Sequence, residues 1–185
     1  GCRLLIVGCE SGSQEILNNV KKGILIKRMK KFTRDCRTLG IMIHGCFIFG
    51  LPGETKETIK KTIDFAIQLS CDSIQGAVAT PFPGTEFHDY CRENGYIMGD
   101  ELTDHYGYQD CFISYPSLSA EEIVKAVDDF HLKYLYRPHY IVSLVRQICR
   151  NPLELERIFT SGLQFQEYIV RRLISRLFHR RQNVC

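Results

Sequence analysis

The feature that most constrains this chain is an alternation of short apolar runs with longer amphipathic segments over its first 95 residues. The apolar runs are residues 3–7, 42–49 and 73–79, and each ends in a glycine- or proline-containing turn. Short runs of this kind are typical of strands in a parallel sheet, and the first is expected to be buried on both faces. Strands that alternate with helices predict parallel crossover connections, and hence an α/β sheet or part of a barrel.

Amphipathic spacing predicts the helices between these strands. Apolar residues recur every three or four positions over residues 26–39, a second helix begins near Thr55, and a short one covers residues 86–93. The segment ESGS after the first strand is expected to be a loop. Because the carboxyl ends of parallel strands lie at one edge of the sheet, the loops after the three strands are expected to converge there.

The pattern becomes all-helical after about residue 95. Ser119 and Glu122 form a capping box at the start of one helix, Pro138 suits the first turn of the next, and a last helix extends to about His179. We therefore expect two regions, residues 1–95 with the sheet and residues 96–185 as a helical extension.

Composition excludes several classes of protein. A chain of 185 residues that is 44% hydrophobic and 24% charged has the composition of a globular protein. Its longest mostly apolar stretch, residues 41–51, is too short to span a membrane, and no secretion signal opens the sequence. The expected compartment is the cytoplasm. The nine cysteines lack the CxxC pairs of a zinc site, so we expect most to be reduced and buried, and no metal site.

Positive charge is concentrated at the end of the chain. Residues 131–185 hold ten Lys and Arg against three Asp and Glu. In the last helix apolar residues alternate with arginines at helical spacing, as in helices that lie on a membrane surface. The same pattern also fits a solvated helix packed on its own domain. No nucleic-acid-reading motif is present, and no nucleic-acid partner is expected.

The turn GLPGE, at residues 50–54, is rich in glycine and opens a helix. Its backbone amides could hold an anion, which would suit an α/β enzyme that binds phosphate there. It lacks the Lys-Ser/Thr of a Walker loop, and an ordinary tight turn between strand and helix explains it equally well.

Three segments taken together in order resemble a known family. They are GCESGSQEILNNVKKG, FIFGLPGETKETIKKTIDFA and DSIQGAVATPFPGTEF. This set resembles the second half of the barrel of radical S-adenosylmethionine (SAM) enzymes, in the branch usually preceded by a cobalamin-binding domain. The helical tail, with HYGYQDC, is similar to members linked to hopanoid lipid biosynthesis. The resemblance implies the C-terminal half of a partial (βα) barrel with about three parallel strands, followed by an all-helical region.

The resemblance also implies a SAM site along the first strand and its loop. Glu10 and Ser11 would approach the ribose and amino group of SAM, and Lys22 would meet its methionine carboxylate. A carboxylate accepts from an ammonium or a hydroxyl, and a lysine is a compact partner for a carboxylate. Ordinary surface charge is the alternative.

Further positions are implied in the later segments. Phe47, Ile48 and Phe49 lie where the family's fifth strand passes the adenine, and Thr80 ends the sixth strand near the adenosine or the substrate. An aromatic polar loop could cap the mouth of the barrel and contact the substrate. Its candidate residues are His105, Tyr106, Tyr108 and Gln109.

One part of the family pattern is absent. The CxxxCxxC loop that holds a 4Fe-4S cluster does not occur in this sequence, whose cysteines are at least seven residues apart. We therefore expect a C-terminal fragment whose cluster ligands lie outside this chain. Its partners would be the N-terminal part of the same enzyme and an external electron donor.

The function implied is reductive cleavage of SAM to a radical, followed by hydrogen abstraction from, or cobalamin-mediated methylation of, an unactivated carbon. A small-molecule or hopanoid-like lipid substrate follows from the same resemblance, with peripheral contact at the inner face of the membrane. The alternative is a non-catalytic module that binds a nucleotide or a membrane surface.

Overall fold

A computed structural model describes residues 1–98 and 111–182, and of residues 150 and 171–182 it describes the backbone alone. Two compact units are present, Gly1–Tyr140 and Ile141–Cys185. The sequence predicts a division near residue 95, and that division stays a prediction. The helix that begins at Ala120, beyond this point, contacts the sheet.

The elements follow one another in the order of an α/β chain with a helical C-terminal region. They are β1 (Leu4–Glu10), α1 (Gln14–Asn19), α2 (Ile26–Thr38), β2 (Met42–Phe49), α3 (Lys56–Leu69), β3 (Ser73–Val78), α4 (Glu86–Glu93), α5 (Ala120–Leu135), α6 (Pro138–Arg150) and α7 (Glu154–Gln182).

The three strands form one parallel sheet in the order β1-β2-β3. The predicted α/β class, with three parallel strands and a helical C-terminal region, is confirmed. Closure into a barrel stays a prediction. Strand β1 continues to Glu10, beyond the predicted end at Val7, because the ladder carries on through Gly8, which pairs with Cys46.

Side-chain caps fix where the helices begin. Thr55 and Thr58 form a capping box at α3, and Ser119 and Glu122 form the predicted one at α5. Thr85 accepts from the amide of His88 at the start of α4. These caps explain why the predicted helix starts agree with the structure.

Helix α1 occupies part of a segment that the sequence did not predict as helical. Its six residues make fewer than two turns, too few for an apolar period to be visible. Ile16 and Leu17 are nevertheless fully buried, so α1 is held by packing.

Helix α5 covers one face of the sheet. The ring of Phe130 lies 5.2 Å, centroid to centroid, from both Phe47 and Phe49 of β2. A Cβ atom at Gly76 of β3 would lie 2.7 Å from the Phe130 ring, so this strand position requires glycine. The Tyr134 hydroxyl donates to the Cys71 carbonyl at 2.6 Å. The core of the first unit therefore lies between α5 and the sheet.

The opposite face of the sheet is open over much of its area. Leu4 and Ile6 of β1 are 47% and 73% exposed, and Gln75 of β3 is also exposed. The expectation that the first strand is buried on both faces is therefore wrong for this structure. The physical reason is that helices cover only one face, and no element among residues 1–98 and 111–182 covers Ile6.

The second unit contains most of α6 and all of α7. None of the helices in the described part of the chain is both long and apolar enough to cross a membrane.

Replacing Phe130 by alanine should lower the free energy of unfolding by about 3 to 5 kcal/mol, because a fully buried ring that contacts two others is removed. Chemical denaturation would measure this. The matched control is Phe82→Ala, whose ring is 53% exposed and whose loss should change stability by no more than about 0.5 kcal/mol. Equal effects of the two substitutions would contradict this account of the core.

Candidate functional site

An ion pair lies above Gly8 on the open face of the sheet. Lys22 Nζ is 2.6 Å from Glu10 Oε1, and the side chains are 33% and 15% exposed, respectively. A Cβ atom at Gly8 would lie 2.6 Å from Glu10 Oε1 and 3.2 Å from Lys22 Nζ. A side chain at this position would displace the pair from where it lies.

A β-bulge directs Glu10 to this place. Gly8 pairs with Cys46 and Glu10 pairs with the next residue, Phe47, so Cys9 is an extra residue in the ladder. Glu10 has a left-handed backbone with φ of 58°, which is rare for a residue with a side chain. Cys9 turns into the core, and Glu10 reaches back over Gly8.

The end of α1 brings Lys22 to the same point. Lys21 has a φ of 53°, its amide donates to the Asn18 carbonyl, and the Lys22 amide donates to the Leu17 carbonyl. This is the hydrogen-bond pattern of a Schellman motif. The reversal places residue 22 beside the strand that α1 follows, although the two charged residues are twelve positions apart.

Ser11 anchors the loop to α3. Its hydroxyl is fully buried, lies 3.1 Å from the Thr62 hydroxyl and accepts from the Ser13 amide. The Gly12 amide donates to Thr62 Oγ1, and a Cβ at Gly12 would lie 2.5 Å from the Lys61 carbonyl oxygen. The structure thus does not bring the Ser11 side chain to the Glu10–Lys22 pair, and the predicted contact of Ser11 with SAM stays a prediction.

The three predicted adenine-contacting residues of β2 point to different faces. Phe47 and Phe49 are buried against Phe130, on the face that α5 covers. Ile48 is half-buried and lies on the open face with His44. Of the three side chains, only that of Ile48 shares the face of Glu10. Any role of Phe47 and Phe49 toward a base would run through their backbone.

The loops after the three strands meet at one edge, as expected. The Asn19 side chain donates to the Pro52 carbonyl at 3.2 Å, which joins the end of α1 to the GLPGE turn. Lys21 and Glu86 form an exposed ion pair of 2.6 Å, which joins the end of α1 to α4. Thr80 follows β3 at this edge and is half-buried.

Glu54, the last residue of the GLPGE turn, is buried, and its carboxyl group accepts a hydrogen bond within the turn. Its Oε2 accepts from the Gly50 amide at 2.6 Å, while its Oε1 is buried without a partner. The Tyr115 hydroxyl donates to the Gly50 carbonyl at 2.8 Å. Burial raises the pKa of Glu54 to about 7, against the lowering effect of the Gly50 and Leu51 amides. A carboxylate already occupies the Gly50 amide that a phosphate would need.

Two polar pairs on the open face were missed by the sequence reasoning. His44 Nδ1 is hydrogen-bonded to Ser73 Oγ at 2.8 Å, and the Cys46 thiol donates to Gln75 Oε1 at 3.9 Å. The alternation of side chains along β2 could have predicted them, because its even-numbered residues lie on the face of the sheet that Phe47 and Phe49 do not occupy. Burial and the charge of Glu10 raise the pKa of Cys46, which places this thiol near the ion pair.

Comparison with known proteins gives relatives and a solved structure. The chain is 30% identical over 143 residues to an uncharacterized methyltransferase of Pyrococcus horikoshii, covering 77% of this chain and 31% of the relative. It is 26% identical to the bacteriochlorophyllide d C-8(2)-methyltransferase of Chlorobaculum tepidum, covering 80% and 35%. No family model matches the sequence.

The solved structure is that of the radical SAM methyltransferase TsrM from Kitasatospora setae, with cobalamin and a 4Fe-4S cluster bound. The match has a TM-score of 0.55 and 21% identity, and it covers 75% of this chain and 32% of TsrM. This chain is similar to a segment of radical SAM methyltransferases. The resemblance to radical SAM enzymes is thereby confirmed, whereas the likeness to members linked to hopanoid biosynthesis stays a prediction. The chain spans about a third of the length of these proteins.

No group of three His, Cys, Asp or Glu side chains that could hold a metal ion occurs among the described residues. Five of the eight described cysteines are buried. Burial raises the pKa of Cys9 to about 12 and that of Cys71 to about 11, so these thiols stay protonated at neutral pH.

The predicted substrate-contacting residues lie outside the described residues. They are His105, Tyr106, Tyr108 and Gln109.

Glu54 should make the protein less stable as pH rises from about 4.5 to about 7. In this window the folded protein holds a proton that the unfolded chain has released, so each rise in pH favours unfolding. The loss should reach about 3 kcal/mol above pH 7. Glu54→Gln should remove this component, and denaturation midpoints at pH 5 and pH 8 would measure it.

The control is Glu57→Gln, three residues further along, in the first turn of α3. Glu57 is exposed and its pKa is lowered, so it does not titrate in this range. A pH dependence that survives Glu54→Gln unchanged would contradict a raised pKa at this residue.

Proposed function

We propose that this chain is the part of a radical SAM methyltransferase that holds the methionine end of SAM, through Glu10 and Lys22. The observation that carries the proposal is the ion pair over Gly8, at the carboxyl edge of a sheet whose face is open. The similarity to methyltransferases supports the same reaction class.

The charges of this pair fit those of SAM. The methionine end of SAM carries an ammonium and a carboxylate on the same carbon atom, and Glu10 and Lys22 offer one partner of opposite sign to each. Both side chains retain some exposure, so a ligand can reach them. On binding, the ion pair between Glu10 and Lys22 would be replaced by one ion pair from each residue to SAM. The site stays neutral, which limits the desolvation cost of binding.

The remaining residues near the site have supporting roles. Ser11 and Gly12 fix the loop to α3 through Thr62, which holds the bulge that aims Glu10. The Schellman motif at the end of α1 holds Lys22. Together they orient the two charges before a ligand binds, so little conformational entropy is lost on binding.

SAM bound at a 4Fe-4S cluster supplies a radical or a methyl group for attack on an unactivated carbon. In our proposal the cluster is held by residues outside this sequence, and an external electron donor reduces it. TsrM binds cobalamin, and we propose cobalamin as a further cofactor here. This chain would supply the orienting contacts and one wall of the chamber, and Thr80 lies at the same edge.

For the substrate, we propose a hopanoid-like lipid that reaches the open face. Leu4, Ile6 and Ile48 give this face apolar area, and His44 and Gln75 give it hydrogen-bonding groups. None of the eight described cysteines forms a disulfide, which suits a reducing compartment, so we place the protein in the cytoplasm.

The proposed site is tested by Glu10→Gln and Lys22→Met. Each should weaken SAM binding by at least tenfold, or about 1.4 kcal/mol, since each removes one charged contact. The measurement is calorimetric titration of SAM into the whole protein after reconstitution with iron and sulfide.

The neighbouring exposed ion pair gives a matched control. Lys21→Met and Glu86→Gln remove the same charges from the same edge and should change SAM affinity less than twofold. Equal losses in both pairs would show a general effect of charge and refute the site. Absence of SAM binding in the unmodified whole protein would refute the function itself.

The substrate class is tested by following the methyl group of isotope-labelled SAM. Incubation of the whole protein with a membrane lipid extract should place the label in the organic phase. Label confined to water-soluble products would refute a lipid substrate while leaving methyl transfer intact.

The non-catalytic alternative makes a different prediction. A module that only binds a nucleotide would bind SAM and adenosine alike, without turnover in the reconstituted whole protein. Turnover that is lost in Glu10→Gln and kept in Glu86→Gln would exclude it.

A further inference from the structure

Helix α7 carries an exposed apolar stripe. Four apolar residues in its described half are each more than 50% exposed, at spacings of four, four and seven positions. They are Leu155, Phe159, Leu163 and Val170. Because four- and seven-residue spacings return to the same side of a helix, these side chains lie in one row. The stripe, as we call these four residues, is an unusual amount of apolar surface to leave in water.

A second row of apolar residues on α7 is separate from the stripe. Ile158, Phe165 and Ile169 are half-buried and lie about a third of a turn from it. An ordinary surface helix has one apolar side, which it buries, and a polar side in water. The two rows together make one broad apolar side of α7, and the stripe is the part of it that is exposed.

The sequence of the last turns adds positive charge next to the stripe. After Glu167 the chain contains no acidic residue, and residues 171–182 hold five arginines. Leu173, Ile174 and Leu177 continue the apolar spacing between those arginines. Helix α7 thus combines a row of apolar residues with a basic end. This combination is complementary to an anionic lipid bilayer, which has an apolar interior and negatively charged headgroups.

We propose that α7 lies along the surface of an anionic membrane, with the stripe at the boundary between headgroups and acyl chains. The arginines of its last turns contact the anionic headgroups. No described helix is able to span a bilayer, so the helix lies in the plane of the surface. The 29 residues of α7 would extend about 43 Å along it. This inference does not depend on the proposed SAM chemistry.

Sedimentation of the chain with lipid vesicles tests the proposal. The probes are vesicles of phosphatidylcholine alone and vesicles with about 30% phosphatidylglycerol, each at low and high salt. Binding to the anionic vesicles should be at least tenfold tighter, and the difference should shrink as salt screens the arginines. Equal binding to both vesicles, or none, would overturn the proposal.

Two variants separate the stripe from the arginines. The double substitution Phe159→Ser and Leu163→Ser should weaken binding to anionic vesicles by at least tenfold. Replacement of Arg171, Arg172 and Arg176 by glutamine should abolish the preference for anionic lipid. Circular dichroism and the unfolding midpoint check that each variant keeps its fold.

Helix α2 supplies matched controls. Leu39, just after α2, is 73% exposed, so Leu39→Ser removes a comparable apolar side chain. Replacement of Lys27, Arg28 and Arg34 by glutamine removes the same charge from α2. Both controls should bind vesicles as the unmodified chain does, and losses equal to those of the α7 variants would overturn the assignment to α7.

A different occupant would also be visible. If the stripe joins two copies of the chain, analytical ultracentrifugation will show a dimer that the double serine variant dissociates, with no vesicle binding. That result would replace the membrane proposal by a contact between copies.

Discussion

The packing of Phe130 on Phe47 and Phe49 decides which face of the sheet is available for chemistry. Because α5 lies on this side, the odd-numbered residues of β2 form core and the even-numbered ones face outward. Because β1 and β3 pair with β2 in parallel register, the same division between core-facing and outward-facing residues applies to both of these strands. The outward position of His44, Cys46, Ser73 and Gln75 follows from this one contact.

The edge loops depend on buried polar anchors that lie beneath them. Thr62 of α3 binds both Ser11 and Gly12, while Glu54 and Tyr115 bind the amide and the carbonyl of Gly50. Buried polar groups of this kind are costly unless satisfied, so they fix a loop in one geometry when they are paired. Glu54 is the exception, since one of its oxygens has no partner and its pKa is raised. Glu54 therefore holds the turn, but its burial lowers the free energy of unfolding by an amount that grows as pH rises.

Much of the fold could be predicted from the sequence, because strands and helices follow from local spacing. The bounds of β2, the start of α3 near Thr55, the cap at Ser119 and the start of α6 at Pro138 all agree with the structure. The exposed face of β1 could not be predicted, since burial depends on what packs against the strand. The site was predictable only in part. Glu10 and Lys22 form an ion pair on the open face, the rings of Phe47 and Phe49 lie on the other face, and the contact of these residues with SAM stays a prediction.

The sequence by itself determined the order of strands and helices, the family resemblance and the basic end of α7. These features depend on residue spacing and composition, which are local. Only the tertiary structure decided that Glu10 turns back over Gly8 while Cys9 and Ser11 turn inward. These three residues alternate as in an ordinary strand, but the bulge at Cys9 pairs Glu10 with Phe47, whose ring faces the core, and the left-handed backbone of Glu10 turns the chain there. This geometry is accompanied by contacts with Lys22 and Thr62, which are distant in the chain, and no local pattern records them.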